Sequence, residues 1–540
     1  MASEQFDAII IGGGISGMYQ LLKLREMGLS VKVYEVGTDV GGTWYWNRYP
    51  GARFDSESYS YGYSFSKEVL DEWEWSEHFA GQPETLEYLS YFADKFDLRK
   101  DIQFNTRVTA ATYDEATNIW NVETEADEHA HAPILITAVG PLSEPLMPKI
   151  EGIDSFEGDW FHTGLAPHAE EGFGPKYTEF PDMRVGVIGT GASGVQTIAE
   201  VALTVGELYV FQQRPEYCTP LWNSKIDDET QKEIKANYPA MFEKCSKTFG
   251  NFLHGFDERS VFDVSEEERE AIFEKRYGEP GFGIWLGNFE DILRDEKAND
   301  VMTEFIRKKI RERVTDPELA EKLIPTDYGF GTRRVPMDTN YYEAYNRDNV
   351  HLIDVGDASP ITRITPKGVE VGDTEYELDL IIYATGFDAV TGAFNRIDIR
   401  GKGGQKLKDA WADGPRTYLG MQTPGFPNMF TLVGPHNGST FCNIPRCIEQ
   451  NVEWLTELIK HMRENGIERV EPNEQAVDAW TEHVDELAMA TLFPQVTSWF
   501  MGSNVPGKKV KFLAYAGGFP AFKKKCDDVK EKNYEGFELT

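Results

Sequence analysis

The chain has 540 residues, 41% of them apolar and 27% charged, a length that supports about three or four domains with substantial cores. Acidic residues outnumber basic ones 90 to 54, giving a net charge of −36. That balance argues against nucleic-acid or anionic-membrane binding, and any site for an anionic ligand must be locally basic.

No apolar run has the length of a membrane helix, and no basic segment followed by a long apolar stretch opens the chain. Cys218, Cys245, Cys442, Cys447 and Cys526 are scattered, with no C-x-x-C pair. Packed or free thiols, no metal site and a cytoplasmic setting are expected. Cys442 and Cys447 are spaced so that they can approach each other, but core packing is their expected role.

The first element in chain order is an apolar, β-branched run at 6–11, expected as a buried parallel strand. It enters Gly12-Gly13-Gly14-Ile15-Ser16-Gly17, a G-x-G-x-x-G loop. Gly12 permits the tight turn, Gly14 a close approach of backbone to pyrophosphate, and Gly17 close helix–strand packing. The helix that follows offers free N–H groups to an anion and is expected to stop at Gly28. A second strand at 31–35 ends in Glu35, an acid 18 residues after Gly17 that can take a ribose diol, which fits FAD or NAD.

A strand is expected at 134–140, then a linker containing Pro141, Pro145 and Pro148. A second strand–loop–helix unit follows, with Gly189-Thr190-Gly191-Ala192-Ser193-Gly194 between strands at 185–188 and 208–211. Here Gln212 stands where an acid would, and Arg214 follows. A carboxylate would repel a 2′-phosphate, whereas an arginine holds one through charge-assisted hydrogen bonds, so this unit fits NADPH. Two such units on one chain imply transfer of electrons between a nicotinamide and a flavin.

From 227 to 324 the pattern turns helical and rich in Glu and Lys. Ser265-Glu266-Glu267-Glu268 resembles a capping box, and Met302, Phe305, Ile306 and Ile310 share a helical face. This is expected to be an insertion serving as a lid or substrate wall. Strands are expected again at 350–355, 378–386 and 429–434. The fold class is α/β, with two Rossmann-like dinucleotide-binding domains and a helical insertion. The expected division is FAD domain 1–148 and 387–540, NADPH domain 149–222 and 329–386, and insertion 223–328. Lys523-Lys524-Lys525 reads as a solvated face.

The most specific stretch is Gly41-Gly42-Thr43-Trp44-Tyr45-Trp46-Asn47-Arg48-Tyr49-Pro50-Gly51 followed by Asp55. It resembles the G-G-x-W-x-x-x-x-Y-P-G-x-x-x-D signature of Baeyer–Villiger monooxygenases. With Phe156-x-Gly158-x-x-x-His162, Arg333-Arg334 and the 498–509 region, the chain resembles the cyclohexanone monooxygenase branch. One departure is Ala166 before Pro167, where the family fingerprint has Trp.

The resemblance implies that NADPH reduces FAD, that reduced flavin and O2 give a C4a-peroxyflavin, and that this attacks a ketone to yield an ester or lactone. It implies FAD contacts from Gly42, Thr43, Trp44, Asp55 and Tyr61, and an NADPH 2′-phosphate contact from Arg333. Arg334 matches the active-site arginine, held by Asp55. Trp499 matches a residue near the cofactor ribose or nicotinamide. His162 is implied to tie down the interdomain linker without touching substrate. No obligate protein partner is expected. An N- or S-oxygenating flavin monooxygenase is the alternative. A disulfide reductase lacks its redox cysteine pair here.

Overall fold

The structure, a computed structural model, describes residues 4–438 and 442–540. Two five-stranded sheets, each wholly parallel, organise it. The first runs in the order Met429–Thr431, Ile134–Thr137, Ala8–Ile11, Val31–Tyr34, Ile102–Gln103. The second runs Val350–Asp354, Glu207–Gln212, Arg184–Ile188, Leu380–Tyr383, Asp159–His162. Their central strands, Ala8–Ile11 and Arg184–Ile188, carry nearly unbroken buried apolar residues, as a sheet covered on both faces requires.

Several strands are shorter than the apolar runs suggest. Asp7 lies outside the first strand: the Phe6 amide still donates to the His131 carbonyl of another sheet at 3.0 Å, and the Asp7 carboxylate accepts from the Ser30 amide at 2.7 Å. The run from Ile134 stops at Thr137, where the chain bends past the first glycine loop; a Cβ on Gly12 would lie 2.4 Å from the Ala138 carbonyl oxygen. Met27 caps the first nucleotide helix, and Gly28 follows at φ +76°, a left-handed exit that glycine adopts without strain.

Two further sheets were not foreseen. One combines Glu4–Gln5, His129–Ala132, Ile119–Thr124, Val108–Asp114 and Asp398–Arg400 around the fully buried Trp120. The other is an antiparallel meander, Ile361–Thr365, Gly368–Val371 and Thr374–Glu377.

Within 223–328, the long helices are Asp228–Cys245, Glu266–Tyr277 and Glu296–Arg313. Ser265 caps the second by accepting from the Glu268 amide at 3.2 Å, and Met302, Phe305, Ile306 and Ile310 are buried together on the third. Arg313 straps that helix down with two ion pairs at 2.6 Å, to Asp338 and to Glu343.

The C-terminal part contributes the 22-residue helix Ile444–Asn465, which packs on the first nucleotide helix and bonds Gln20 through Thr456 at 3.2 Å. Cys442 and Cys447, expected to pack in the core, are buried with Phe519 at its start and are also disulfide-paired, with Cα atoms 6.7 Å apart. Among the described residues, no helix is long and apolar enough to cross a membrane.

Candidate active site

The two glycine loops are near copies in their steric logic. Gly12 (φ +111°) and Gly189 (φ +108°) turn where a Cβ would lie 2.4 Å from Ala138 O and 2.5 Å from Ala384 O, respectively. A Cβ on Gly17 would lie 1.9 Å from Gly12 O, and one on Gly194 would lie 2.2 Å from Gly189 O. Both helices, Ile15–Glu26 and Ala192–Val201, begin at a glycine, Gly14 and Gly191, with no side-chain cap. Their first-turn N–H groups are the donors a pyrophosphate needs. A Cβ on Gly191 would meet nothing within 4 Å, so that loop faces open space. Gly14 instead approaches Gly42, where a Cβ would lie 2.8 Å from Gly14 Cα. Both loops therefore fit a dinucleotide.

Glu35 lies under the first loop, its two oxygens accepting from the amides of Gly13 at 2.6 Å and Gly37 at 2.7 Å. Burial raises its pKa, and these backbone donors oppose the rise. A carboxylate has lone pairs left for a ribose hydroxyl. Thr43 opens the short helix Thr43–Trp46. The Trp44 indole donates to the Tyr61 hydroxyl at 3.0 Å, and Tyr61 stacks on Phe54 with ring centroids 4.3 Å apart. This aromatic cluster rigidifies the segment leading to Asp55.

Asp55 is fully buried and Arg334 is 29% exposed; their ion pair is 2.6 Å, Nη1 to Oδ2. The same carboxylate oxygen accepts from the Met337 amide at 3.3 Å, and the Arg334 guanidinium sits over the Phe282 ring at 5.8 Å. Phe282 comes from the helical insertion, so three distant segments meet at this cation.

Arg333 turns the other way. It lies 3.6 Å from Glu216 and over the Tyr328 ring at 4.9 Å. Glu216 was not foreseen. It is buried, which raises its pKa against the opposing pull of Arg333, and the Tyr328 hydroxyl donates to it at 2.5 Å. Arg214 is 46% exposed and 3.8 Å from Asp327. Its carbonyl accepts from the Thr190 hydroxyl at 2.7 Å, which fixes Arg214 beside the second glycine loop.

His162 is buried, and its Nδ1 accepts from the Gly164 amide at 2.9 Å. Desolvation lowers its pKa to about 4, as expected of a neutral structural imidazole. Ala166 is buried without the fingerprint tryptophan. Trp499 packs against Phe500 and the small cluster of Ala389, Val390 and Leu513.

Residues 7–218 match the flavin-binding monooxygenase-like family. The chain is 50% identical, over 99% of each chain, to 2-oxo-Δ3-4,5,5-trimethylcyclopentenylacetyl-CoA monooxygenase of Pseudomonas putida. It is 44% identical to a Baeyer–Villiger monooxygenase of Pseudooceanicola batsensis, over 98% of this chain and 95% of that one. Among solved structures, the OTEMO complex with FAD and NADP superposes with a TM-score of 0.96 at 50% identity, covering 100% of both chains. With full-length relatives at these identities, and with two dinucleotide loops on one scaffold, the chain belongs to the Baeyer–Villiger monooxygenases, FAD- and NADPH-dependent oxidoreductases that act on ketones.

Proposed function

We propose that the Arg334–Asp55 pair is the oxygenating centre for a ring ketone, which leaves as a lactone. The observation that carries this reading is a buried carboxylate 2.6 Å from a guanidinium that keeps part of its surface free. Bound FAD supplies the redox chemistry, taking hydride from NADPH and activating O2. The protein's share is position, charge and exclusion of water. Negative charge develops on the ketone oxygen as the carbonyl is attacked, and Arg334 is a permanent cation available to it. Asp55 holds Arg334 in place, and Phe282 shields its other side.

In this reading the domain of 1–148 and 387–540, built on the sheet centred on Ala8–Ile11, carries FAD. Gly12, Gly14 and Gly17 would hold the pyrophosphate, Glu35 the ribose, and Gly42, Thr43, Trp44, Asp55 and Tyr61 the flavin. The sheet centred on Arg184–Ile188 carries NADPH, formed by 149–222 and 329–386. Gly189, Thr190, Gly191, Ser193 and Gly194 take its phosphates, Arg214 and Arg333 its 2′-phosphate, and Trp499 its ribose or nicotinamide. The insertion, 223–328, walls the substrate. Ring ketones are favoured because the 50%-identical Pseudomonas relative is named for a cyclopentenyl substrate.

The test is a mixed panel of cyclic, linear and aryl ketones, incubated with holoprotein, NADPH and isotopically labelled O2 and analysed by mass spectrometry. The expected products are lactones carrying one labelled oxygen. Labelled esters from linear ketones alone would overturn the ring preference, and NADPH consumption that yields only peroxide with every ketone would overturn the oxygenation reading.

A further inference from the structure

Asp55 has two oxygens, and the ion pair uses one. Oδ2 takes Arg334 and the Met337 amide, while Oδ1 faces the side-chain amide of Gln196 at 3.4 Å. Gln196 belongs to the helix Ala192–Val201, which begins at the second glycine loop. Its Nε2 also donates to the Arg53 carbonyl at 3.0 Å, and its Oε1 accepts from the Tyr49 hydroxyl at 2.9 Å. The Tyr49 hydroxyl meets the Ser193 side chain as well, inside the glycine loop itself. Burial holds the phenol protonated, with its pKa pushed up to about 12, so it acts as a donor to Gln196.

The bonds therefore run in one sense. Ser193 meets Tyr49, Tyr49 donates to Gln196, Gln196 donates to Asp55, and Asp55 holds Arg334. A glutamine amide has a donor end and an acceptor end of similar shape. A flip would set Oε1 against both the Arg53 carbonyl and the Asp55 carboxylate, and the Tyr49 hydroxyl, which needs the acceptor end, holds the amide the same way. Gly51 completes the arrangement: it turns at φ +78°, and a Cβ there would lie 2.6 Å from the Gln196 backbone oxygen, so only glycine lets the Tyr49 segment lie on this helix. Arg334 and Tyr49 both act on Asp55, and Arg334 also acts on Glu216.

We propose that Gln196, oriented by Tyr49, is a positioning residue that aims Asp55 at Arg334 and ties the nicotinamide-nucleotide loop to the oxygenating cation. The step rests on the Arg334–Asp55 reading given above. Linked bonds in a buried setting reinforce one another, so loss of one link loosens the rest. A hydrogen bond to a charged group, lost on substitution, corresponds to about a 10- to 100-fold effect.

The experiment compares native protein with Gln196→Leu, Tyr49→Phe and Asp55→Asn. One readout is the rate of phenylglyoxal modification of Arg334 in FAD-loaded protein, followed by peptide mass spectrometry. The other is the ratio of ester to peroxide per NADPH consumed. Gln196→Leu is expected to raise the modification rate about 10-fold, toward that of Asp55→Asn, and to lower the ester-to-peroxide ratio by a similar factor. Tyr49→Phe, which keeps the ring packing, is expected to move both readouts the same way by a smaller factor. FAD content and melting temperature should stay near native in Tyr49→Phe. Native modification rates in both variants would overturn the proposal, as would a product ratio that falls only in step with lost FAD. Failure of native protein to make ester would instead strike the Arg334–Asp55 reading itself.

Discussion

Arg333 and Arg334 are sequence neighbours whose guanidinium groups pair with carboxylates from different segments. Arg333 is 3.6 Å from Glu216, on the segment following the second sheet's Glu207–Gln212 strand; Arg334 is 2.6 Å from Asp55, on the segment following the Trp44 cluster. A double arginine is thus two sites sharing one turn of backbone. Their partners differ too. Glu216 accepts from a tyrosine hydroxyl, whereas Asp55 accepts from a backbone amide and a glutamine.

The split predicts two different kinetic phenotypes. Arg334→Met should lower ester formation by about 10²–10³-fold while retaining FAD, because it removes a preorganised cation from developing negative charge. Arg333→Met should instead raise KM for NADPH about 10-fold with a much smaller change in kcat, the mark of lost binding that is uniform along the reaction. Steady-state kinetics with ester quantified by gas chromatography separates the two. Identical profiles would remove the division of labour.

Arg214 supplies a second prediction. It is half exposed, its carbonyl is anchored by Thr190, and its ion pair with Asp327 is long at 3.8 Å, so the guanidinium is available to a phosphate. Arg214→Ala should weaken NADPH by about 10-fold or more and leave NADH nearly unchanged. Titration of both nucleotides against the oxidised holoprotein measures this. Equal losses would show that the 2′-phosphate is read elsewhere.

What sequence alone revealed was local. The glycine loops are legible because their constraints act over a few residues: Gly17 must clear Gly12, and Gly194 must clear Gly189. The meeting of Asp55 with Arg334 was implied only by family resemblance, since 6–11 and 185–188 say nothing about how two sheets face each other. Gln196 and Glu216 were missed, and Tyr49 was seen only as part of the family signature, because their roles exist only through contacts between segments far apart in the chain. The helix Ile444–Asn465 did leave a signal, with Ile448, Val452, Leu455, Ile459 and Met462 on one buried stripe. The sheet holding Val108–Asp114 and Ile119–Thr124 has inward residues alternating with polar ones, a pattern that was also readable.

His162 predicts the acid limb of stability. Burial lowers its pKa from 6.5 to about 4, so between those values the unfolded chain binds a proton that the folded chain refuses. Stability from this group is present above pH 6.5 and falls as pH drops toward 4, by about 3 kcal/mol in total. His436, buried and lowered to about 4, adds in the same sense. His162→Asn keeps an acceptor for the Gly164 amide and removes the titration. Its unfolding free energy should therefore depend on pH less steeply, by up to about 1.4 kcal/mol per pH unit in that window. Denaturant melts at pH 4.5, 5.5 and 6.5 report the slope, and an unchanged slope would show that His162 is not the group responsible.

Arg446 and Glu449 predict a non-additive pair. Both side chains are under a tenth exposed, 3.0 Å apart on the helix Ile444–Asn465. Glu449 also accepts from the Ser64 amide and hydroxyl, both at 2.6 Å, and Arg446 donates to the Gly62 carbonyl and lies over the Phe242 ring at 4.7 Å. The pair thus clamps the chain just beyond Tyr61 to the helix Ile444–Asn465. Removing one partner strands the other charge in a dry site. Arg446→Met or Glu449→Gln should each cost about 3–5 kcal/mol, whereas the double variant should cost clearly less than the sum. Because the clamped segment directly follows Tyr61, the single variants should also release FAD more readily, which flavin fluorescence during a thermal ramp detects. Additive losses would mean that the two charges are solvated independently and that the clamp does not operate as a unit.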